Sequence, residues 1–390
     1  MSDHKVRVLH FSSRYEQCGI AKYLDQHIQG MHDAPGIEND YFEVSPYDTY
    51  NMKESDLKRL ANDLAAKLKD YDVLHVQHEF ALYAHDSFLR IVQAGKKAGK
   101  KVVVTSHISP LLHGASRPPK LRGLGPRSFL LYLRELRHHR HFMNINATPF
   151  QMADLILAHN DGTIEGLRSI GVREDQIKKM PHPVYYVGTP SKSTRVANEL
   201  KKKDGDIVFA TIGFIHKYKG ILEAVKALKF LPPNYKLAVL GGMKADSDDT
   251  IYYDKVCDLI DALGLRDRVY IAGIVPSDEE LNALIQEVDV CVYPYNGKYY
   301  AQVSSGSINL AIANGRPVIA YPTTSIKELA SEADGAVVLC ETFAYYELAR
   351  ELKRIDLKKQ AHASKEFAEK MAWPKISKDL ALVYKELARG

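Results

Sequence analysis

One pattern constrains the fold of this chain more than any other: a short apolar run, a polar tip and a segment of helical spacing follow one another, and then the cycle begins again. "KVRVLHFSS" reads as a strand ending at Ser12 and Ser13, and "GIAKYLDQHIQGM" after it sets Ile20, Leu24 and Ile28 on one helix face. The helical run "SDLKRLANDLAAKLKD", with Ser55 as its cap signal, leads into "YDVLHVQHEF". "DSFLRIVQAGKKAGK" leads into "KVVVTSHIS", and the apolar "ADLILAHN" precedes the helical "DGTIEGLRSIG". Strands separated by helices pair in parallel through right-handed crossovers, so the first part of the chain predicts an α/β unit built on a parallel sheet.

The polar run at residues 189–206, "TPSKSTRVANELKKKDGD", has no apolar periodicity and is expected to be the linker. After it the theme restarts with "DIVFATIGF", "KGILEAVKALKFL", "YKLAVLGG", a helix over 251–263, "RVYIAGIV", "SDEELNALIQEV", "DVCVYPY", "SGSINLAIANG" and "PVIAY". Ser277 followed by Glu280 is a capping-box signature. The closing "WPKISKDLALVYKELARG" reads as a last helix with Pro374 in its first turn. The predicted organisation is therefore a first domain at 1–188, the linker, a second domain at 207–373 and a final helix at 374–390.

A chain of 390 residues with 45% hydrophobic and 26% charged residues is that of an ordinary folded protein, not a disordered one. No apolar run approaches the roughly 20 residues of a membrane span, and the amino-terminal segment lacks a secretory pattern, so a cytoplasmic location is expected. Cys18, Cys257, Cys291 and Cys340 are scattered without a C-x-x-C pair, which argues against a disulfide framework or a zinc knuckle. Residues 117–140, "RPPKLRGLGPRSFLLYLRELRHHR", carry one acid, Glu135, among many bases around an apolar "FLLYL". That composition suits a solvated helix face or a basic amphipathic helix facing an anionic membrane or acceptor. Nucleic acid is not expected as a partner, because the positive charge is local and no aromatic stacking platform accompanies it.

Ligands of open parallel sheets bind beyond the carboxyl ends of the strands. Here those tips are "SSRYEQCG", "QHEF", "SHIS", "GFIHKYKG", "YPYNGKYYAQVSSGS" and "YPTTS". In "GFIHKYKG" a strand gives way to a helix near Gly220, so free amides, Lys217 and Lys219 could converge on an anion such as a diphosphate. "VSSGS", before the helix at 308, offers a second set of amide donors. The first strand is not followed by G-x-G-x-x-G, and the chain has no phosphate-binding G-x-x-x-x-G-K-[ST], which disfavours a dehydrogenase or a kinase. "HVQHE" brings His75, His78 and Glu79 close in sequence, but residues three apart on a strand face opposite ways. Metal ligation is not expected there, nor at "HHRH".

Taken in order, "QCGIAKYL", "QHEF", "VVVTSHIS", "PHPV", "GFIHKYKG", "SSGSINLAIANGRPVIAY" and the closing "WPKISKDLALVYKEL" resemble, over nearly the whole chain, group 4 glycosyltransferases of the GT-B fold. The resemblance implies two Rossmann-like domains facing across a cleft and a final helix that crosses back to the first domain. It implies sugar transfer with retention from a UDP- or GDP-sugar, without a metal or other cofactor, to a glycan, lipid-linked or other acceptor in cell-surface polysaccharide or glycoconjugate synthesis. With the basic stretch, it implies a cytoplasmic enzyme that can sit peripherally at the inner membrane face.

Carried over by position, the resemblance gives catalytic roles to His107, beside the transferred sugar, and to Lys219, on the donor diphosphate. Donor contacts fall on Gly19, Gly213, Phe214, Lys217, Lys219, Gln302, Ser304, Ser305, Gly306 and Asn309. Arg14, Tyr15, Glu16, His78 and Glu79, at tips of the first domain, are expected on the acceptor side. Two positions depart from the family pattern: Phe214 replaces an arginine, and the usual glutamate pair falls on Gln302 and Leu310. His216 or Lys217 could replace the missing cation, and Asn309 or Glu328 the missing carboxylate. A non-catalytic GT-B relative or a sugar-nucleotide epimerase is the alternative reading.

Overall fold

The computed structural model describes residues 5–14, 19–32, 34–112, 118–121, 123, 125–185, 187–188, 191–243, 249–295 and 305–389. These form two compact units, one running to His182 and taken up again from Trp373, the other from Pro183 to Ala372.

The first unit is a six-stranded sheet: β1 (Val6–Phe11), β2 (Ile37–Tyr41), β3 (Val73–His78), β4 (Lys101–Ser106), β5 (Leu155–Ala158) and β6 (Ile177–Lys179). The strand order is β2-β1-β3-β4-β5-β6 and every pairing is parallel. The register sets His10 opposite His75, and Gln77 opposite Thr105. Both faces of a parallel sheet are covered, so the inner strands are near-continuous apolar runs without polar alternation. One face packs Leu9, Phe11, Leu74 and Val76 against the helices Glu54–Lys67 and Ser87–Lys97. The other packs Val6, Val8 and Val73 against Leu380, Val383 and Tyr384 of the last helix, Trp373–Arg389. Burying each such side chain contributes about 1.5–3 kcal/mol, so this helix is an integral layer of the first unit.

The second unit repeats the plan with β7 (Ile207–Ile212), β8 (Tyr235–Leu240), β9 (Val269–Ile271), β10 (Val290–Tyr293), β11 (Val318–Ala320) and β12 (Val337–Leu339), in the order β12-β11-β10-β7-β8-β9. The Ser277 hydroxyl accepts from the amide of Glu280 at 3.1 Å, as the capping signature predicts. The described part of the polar run, residues 191–206, is packed chain. It contains a short helix, Arg195–Glu199, with Val196 and Leu200 buried. Arg195 pairs with Glu280 at 2.7 Å and Lys202 with Asp289 at 3.1 Å, which fastens the run to the second unit.

Candidate active site

The second sheet grows outward from β7 and β10, which are neighbours although β8 and β9 intervene in the chain. Their carboxyl ends are therefore the switch point at which open α/β sheets take ligands. "GFIHKYKG" leaves β7 there, and "YPY" completes β10. Gly213, at φ +104°, turns the chain out of the sheet, and Lys217–Lys219 forms one 3-10 turn whose cap is His216. Gly220, at φ +70°, ends that turn and opens the helix Ile221–Lys229. A β-carbon on Gly220 would lie 1.9 Å from the carbonyl oxygen of Pro294. Only glycine therefore lets the two tips close on each other.

That approach places the Lys219 ammonium among hydroxyls. Its Nζ donates to Tyr295 Oη at 3.0 Å and to Ser307 Oγ at 3.4 Å. Tyr295 Oη lies 2.9 Å from both Ser305 Oγ and Ser307 Oγ. Burial alone would push the Lys219 pKa down, but Tyr295 and Tyr218 outweigh it and the group stays above its ordinary value, a fixed cation at neutral pH. Ser305 caps the helix Gly306–Ala313, whose first amides have no partners within the helix. The site thus combines a cation, three hydroxyls and a helix amino terminus, a chemistry suited to an oxyanion.

Gly220→Ala is expected to loosen this corner. A left-handed alanine costs about 1–2 kcal/mol, and the overlap with Pro294 adds to it. Calorimetry should show a melting temperature lower by about 4 °C or more; an unchanged value would mean that the two tips do not meet.

Of the other residues expected at the donor, Phe214 and Lys217 are exposed on the β7 loop, and Asn309 is buried on the helix Gly306–Ala313. The hydroxyl of Tyr185 would lie 2.9 Å from a β-carbon on Gly306, so the tyrosine stands directly over the start of that helix. Gln302 and Ser304 fall outside the described residues. Leu310 is buried in the core, and Glu328 is half-buried on the helix Thr324–Glu332. Beyond β7, β8 and β9 lies a cavity of about 270 Å³, lined by Ile215, Gly242, Met243, Tyr253, Ile271, Ala272, Gly273 and Ile274. It is mostly apolar, with glycine backbone at its edge.

In the first unit His107 stands just past β4, His159 just past β5 and His182 beyond β6, so three imidazoles gather at one sheet edge. The His107 and His159 rings are 5.2 Å apart and those of His159 and His182 5.0 Å, with Tyr23 against all three. Burial, and then His159 and His182, hold the His107 pKa well below the usual histidine range. Gly19 opens the helix Gly19–Gly30 with open space around its α-carbon. The Arg14 guanidinium sits 3.8 Å from the centre of the Tyr41 ring. Glu79 is half-buried, while Tyr15 and Glu16 lie outside the described residues.

His78 corrects an expectation. It is not an acceptor-side tip residue: it is fully buried, with ring centres of Phe88, Phe80 and Phe150 at 4.2, 4.8 and 4.8 Å and neither ring nitrogen hydrogen-bonded. The cause is sheet geometry, since the last residue of an inner strand still lies under the helix layer. His75 faces the other way, as strand alternation requires, and joins His10 and His27 in a buried cluster whose nitrogens lie within 4.8 Å of one another. The Tyr384 hydroxyl lies 2.6 Å from His75 Nδ1 and 3.2 Å from His27 Nε2 and links those two rings, while His10 Nε2 lies 2.9 Å from Asn39 Oδ1. Sequence reasoning did not single out Tyr295, Ser307, Tyr185, Gln77 or His159. The first two lay in plain view in the tip "YPYNGKYYAQVSSGS".

The family model described as glycosyl transferases group 1 matches residues 193–371. Similar solved structures share the two-sheet GT-B architecture. The chain has the GT-B fold, and its second unit resembles the group 1 glycosyl transferases. HepE from Anabaena in complex with UDP is 16% identical, with a TM-score of 0.70 over 98% of this chain and all of that one. Sucrose-phosphate synthase from Thermosynechococcus elongatus is 17% identical, with a TM-score of 0.69 over 98% and 99%. The lipopolysaccharide outer core galactosyltransferase WaaB is 15% identical, with a TM-score of 0.59 over 98% and 99%. No curated protein matches the sequence. The Lys219 cluster lies inside the matched segment, while the histidine edge lies in the first unit.

Proposed function

We propose that this protein is a retaining hexosyltransferase that moves a sugar from a UDP-sugar to a hydroxyl of a glycan or lipid-linked acceptor. The observation that carries the reading is Lys219, a cation held by Tyr295 and Ser307 beside a helix amino terminus at the switch point of the matched domain. HepE has been solved with UDP-glucose, which favours uridine as the base. The apolar cavity beyond β7 to β9 is of a size to take a nucleobase.

In the reaction the bond between the anomeric carbon and the diphosphate oxygen breaks, and the acceptor oxygen bonds to the same face of that carbon. The acceptor proton passes to the departing phosphate. Charge accumulates on the leaving diphosphate, and Lys219 with the amides after Ser305 is placed to stabilise it before the reaction begins. His107, neutral at pH 7, acts on the sugar by hydrogen bonding rather than by charge. Titrating the protein with UDP, GDP, ADP and their common sugars, with thermal stability as readout, tests the reading. One nucleotide should stabilise it, UDP first, and stabilisation by none would favour the non-catalytic alternative.

An anionic membrane is the proposed setting. The helix Pro126–Phe142 is basic, and Phe129, Leu130, Leu131 and Leu133 on it are exposed. No helix among the described residues is long and apolar enough to cross a bilayer. Vesicles containing phosphatidylglycerol should bind the protein at low salt and release it at high salt, and Leu130→Ser with Leu131→Ser should weaken binding about tenfold or more, since burying each leucine is worth on the order of 1.5–3 kcal/mol. Equal binding to neutral vesicles would remove the electrostatic part of this reading.

A further inference from the structure

A continuous chain of hydrogen-bonding groups crosses the first unit from Met180 to the last helix. His159 Nδ1 lies 2.9 Å from the carbonyl oxygen of Met180, and His159 Nε2 lies 3.3 Å from His107 Nδ1. The two ends of the Gln77 amide lie 2.9 Å from His107 Nε2 and 3.3 Å from His75 Nε2, and the Thr105 hydroxyl lies nearer to His75 Nε2, at 2.7 Å. His75 Nδ1 meets the Tyr384 hydroxyl, which also meets His27 Nε2. Gln77, His75, His27 and Tyr384 are fully buried, so water does not complete these contacts.

The chain has one consistent polarity. A carbonyl only accepts, so His159 must carry its proton on Nδ1. Burial keeps these imidazoles neutral, with His159 pushed down to about 3 and His107, His75 and His27 well below the usual range. A neutral ring has one N–H, so His159 Nε2 is a bare lone pair and His107 must donate to it from Nδ1. His107 Nε2 is then bare and needs a donor, which only the NH2 end of Gln77 supplies. The amide oxygen is drawn facing His107, and a half-turn about the last side-chain bond exchanges its ends. The Gln77 oxygen then faces His75 Nε2–H, which it shares with the nearer Thr105 Oγ1 as acceptors; His75 Nδ1 accepts the Tyr384 O–H, and the Tyr384 oxygen accepts from His27 Nε2–H. His27 Nδ1 ends the chain as a buried lone pair without a partner. The opposite polarity would aim a lone pair of His159 at the Met180 carbonyl and leave a buried N–H on His27. Both are costlier than one bare acceptor.

We infer that Gln77 is a positioning residue that, with His159, fixes His107 as the Nδ1–H tautomer, with a hydrogen-bond acceptor at Nε2. The inference deepens the proposed transferase reading, in which His107 lies beside the transferred sugar. The Met180 carbonyl sets the direction through His159, and Gln77 holds the far side of the His107 ring.

The tautomers can be read directly. Long-range 1H–15N correlation spectra of the full chain labelled at histidine, assigned by single substitutions, should show Nδ1–H on His107 and His159 and Nε2–H on His75. Nε2–H on His107 would overturn the inference. Gln77→Glu can only accept, so it should move the His107 proton to Nε2 and lower kcat about tenfold or more with donor KM changed less than twofold. Tyr384→Phe, beyond His75, should shift the His75 signals and leave the His107 tautomer as it is, and a moved His107 proton in this variant would overturn the assignment to His159 and Gln77. An unchanged His107 tautomer in Gln77→Glu would also sink the inference. A protein that transfers no sugar yet shows the expected tautomers would keep the relay and fail the transferase reading, and active protein with the opposite tautomers would do the reverse.

Discussion

Lys219→Ala is expected to lower turnover by about 10²–10³-fold, roughly 3–4 kcal/mol of transition-state stabilisation, while the protein remains folded. The size follows from where the ammonium sits. It is held in place before the donor arrives, by Tyr295 and Ser307, so none of its effect is spent on reorganisation when charge develops on the leaving diphosphate. The fold should survive because Tyr295, Ser305 and Ser307 stay bonded to one another at 2.9–3.1 Å without the lysine. Lys219→Arg should recover only part of the rate, since a planar fork does not match a point charge among three hydroxyls. Steady-state kinetics with the UDP-sugar that stabilises the wild type decides the matter. A kcat within a few-fold of wild type in Lys219→Ala would remove the residue from the mechanism.

How far the sequence reveals this architecture depends on the kind of signal each part leaves. The inner strands are legible because burial on both faces makes them apolar runs. The edge strands β2, β6 and β12 are not: "IENDY" and "IKK" pair on one side only and tolerate polar residues, and "VVL" is too short to stand out. Lys219 is legible because left-handed glycines bracket it and a helix follows, so local chemistry alone points to an anion site. His78 misleads for the same reason that the sheet is stable, since an inner strand of a parallel sheet buries its last residue too. The Gln77 relay leaves no local trace at all, because Met180, His107, His75 and Tyr384 come together only through the sheet register and the return of the last helix to β1.

The same buried imidazoles predict an acid-labile first unit. His10 is pushed down to about 4, and His78 and His159 to about 3, in each case chiefly by burial. The unfolded chain takes up a proton on each near pH 6.5, whereas the folded unit does not until the lower values. Their contribution is therefore fully present above pH 6.5 and is lost as the pH falls toward 3–4. At pH 5 each group has given up about 2 kcal/mol, so the three together cost about 6 kcal/mol. His27, His75 and His107 shift in the same direction and add to this. A domain stable by about 5–15 kcal/mol cannot absorb such a loss unchanged. The first unit should lose its packing near pH 5, before most carboxylates protonate. The single tryptophan, Trp373, is buried in this unit against Tyr23, so its fluorescence reports the transition without interference from the second unit. His78→Leu removes one titrating group from an aromatic enclosure that offers it no hydrogen bond. It should stabilise the unit by about 2 kcal/mol more at pH 5 than at pH 8, as read by urea melts at the two values. A transition below pH 4, or one that His78→Leu leaves in place, would show that these histidines do not set the acid limit of the fold.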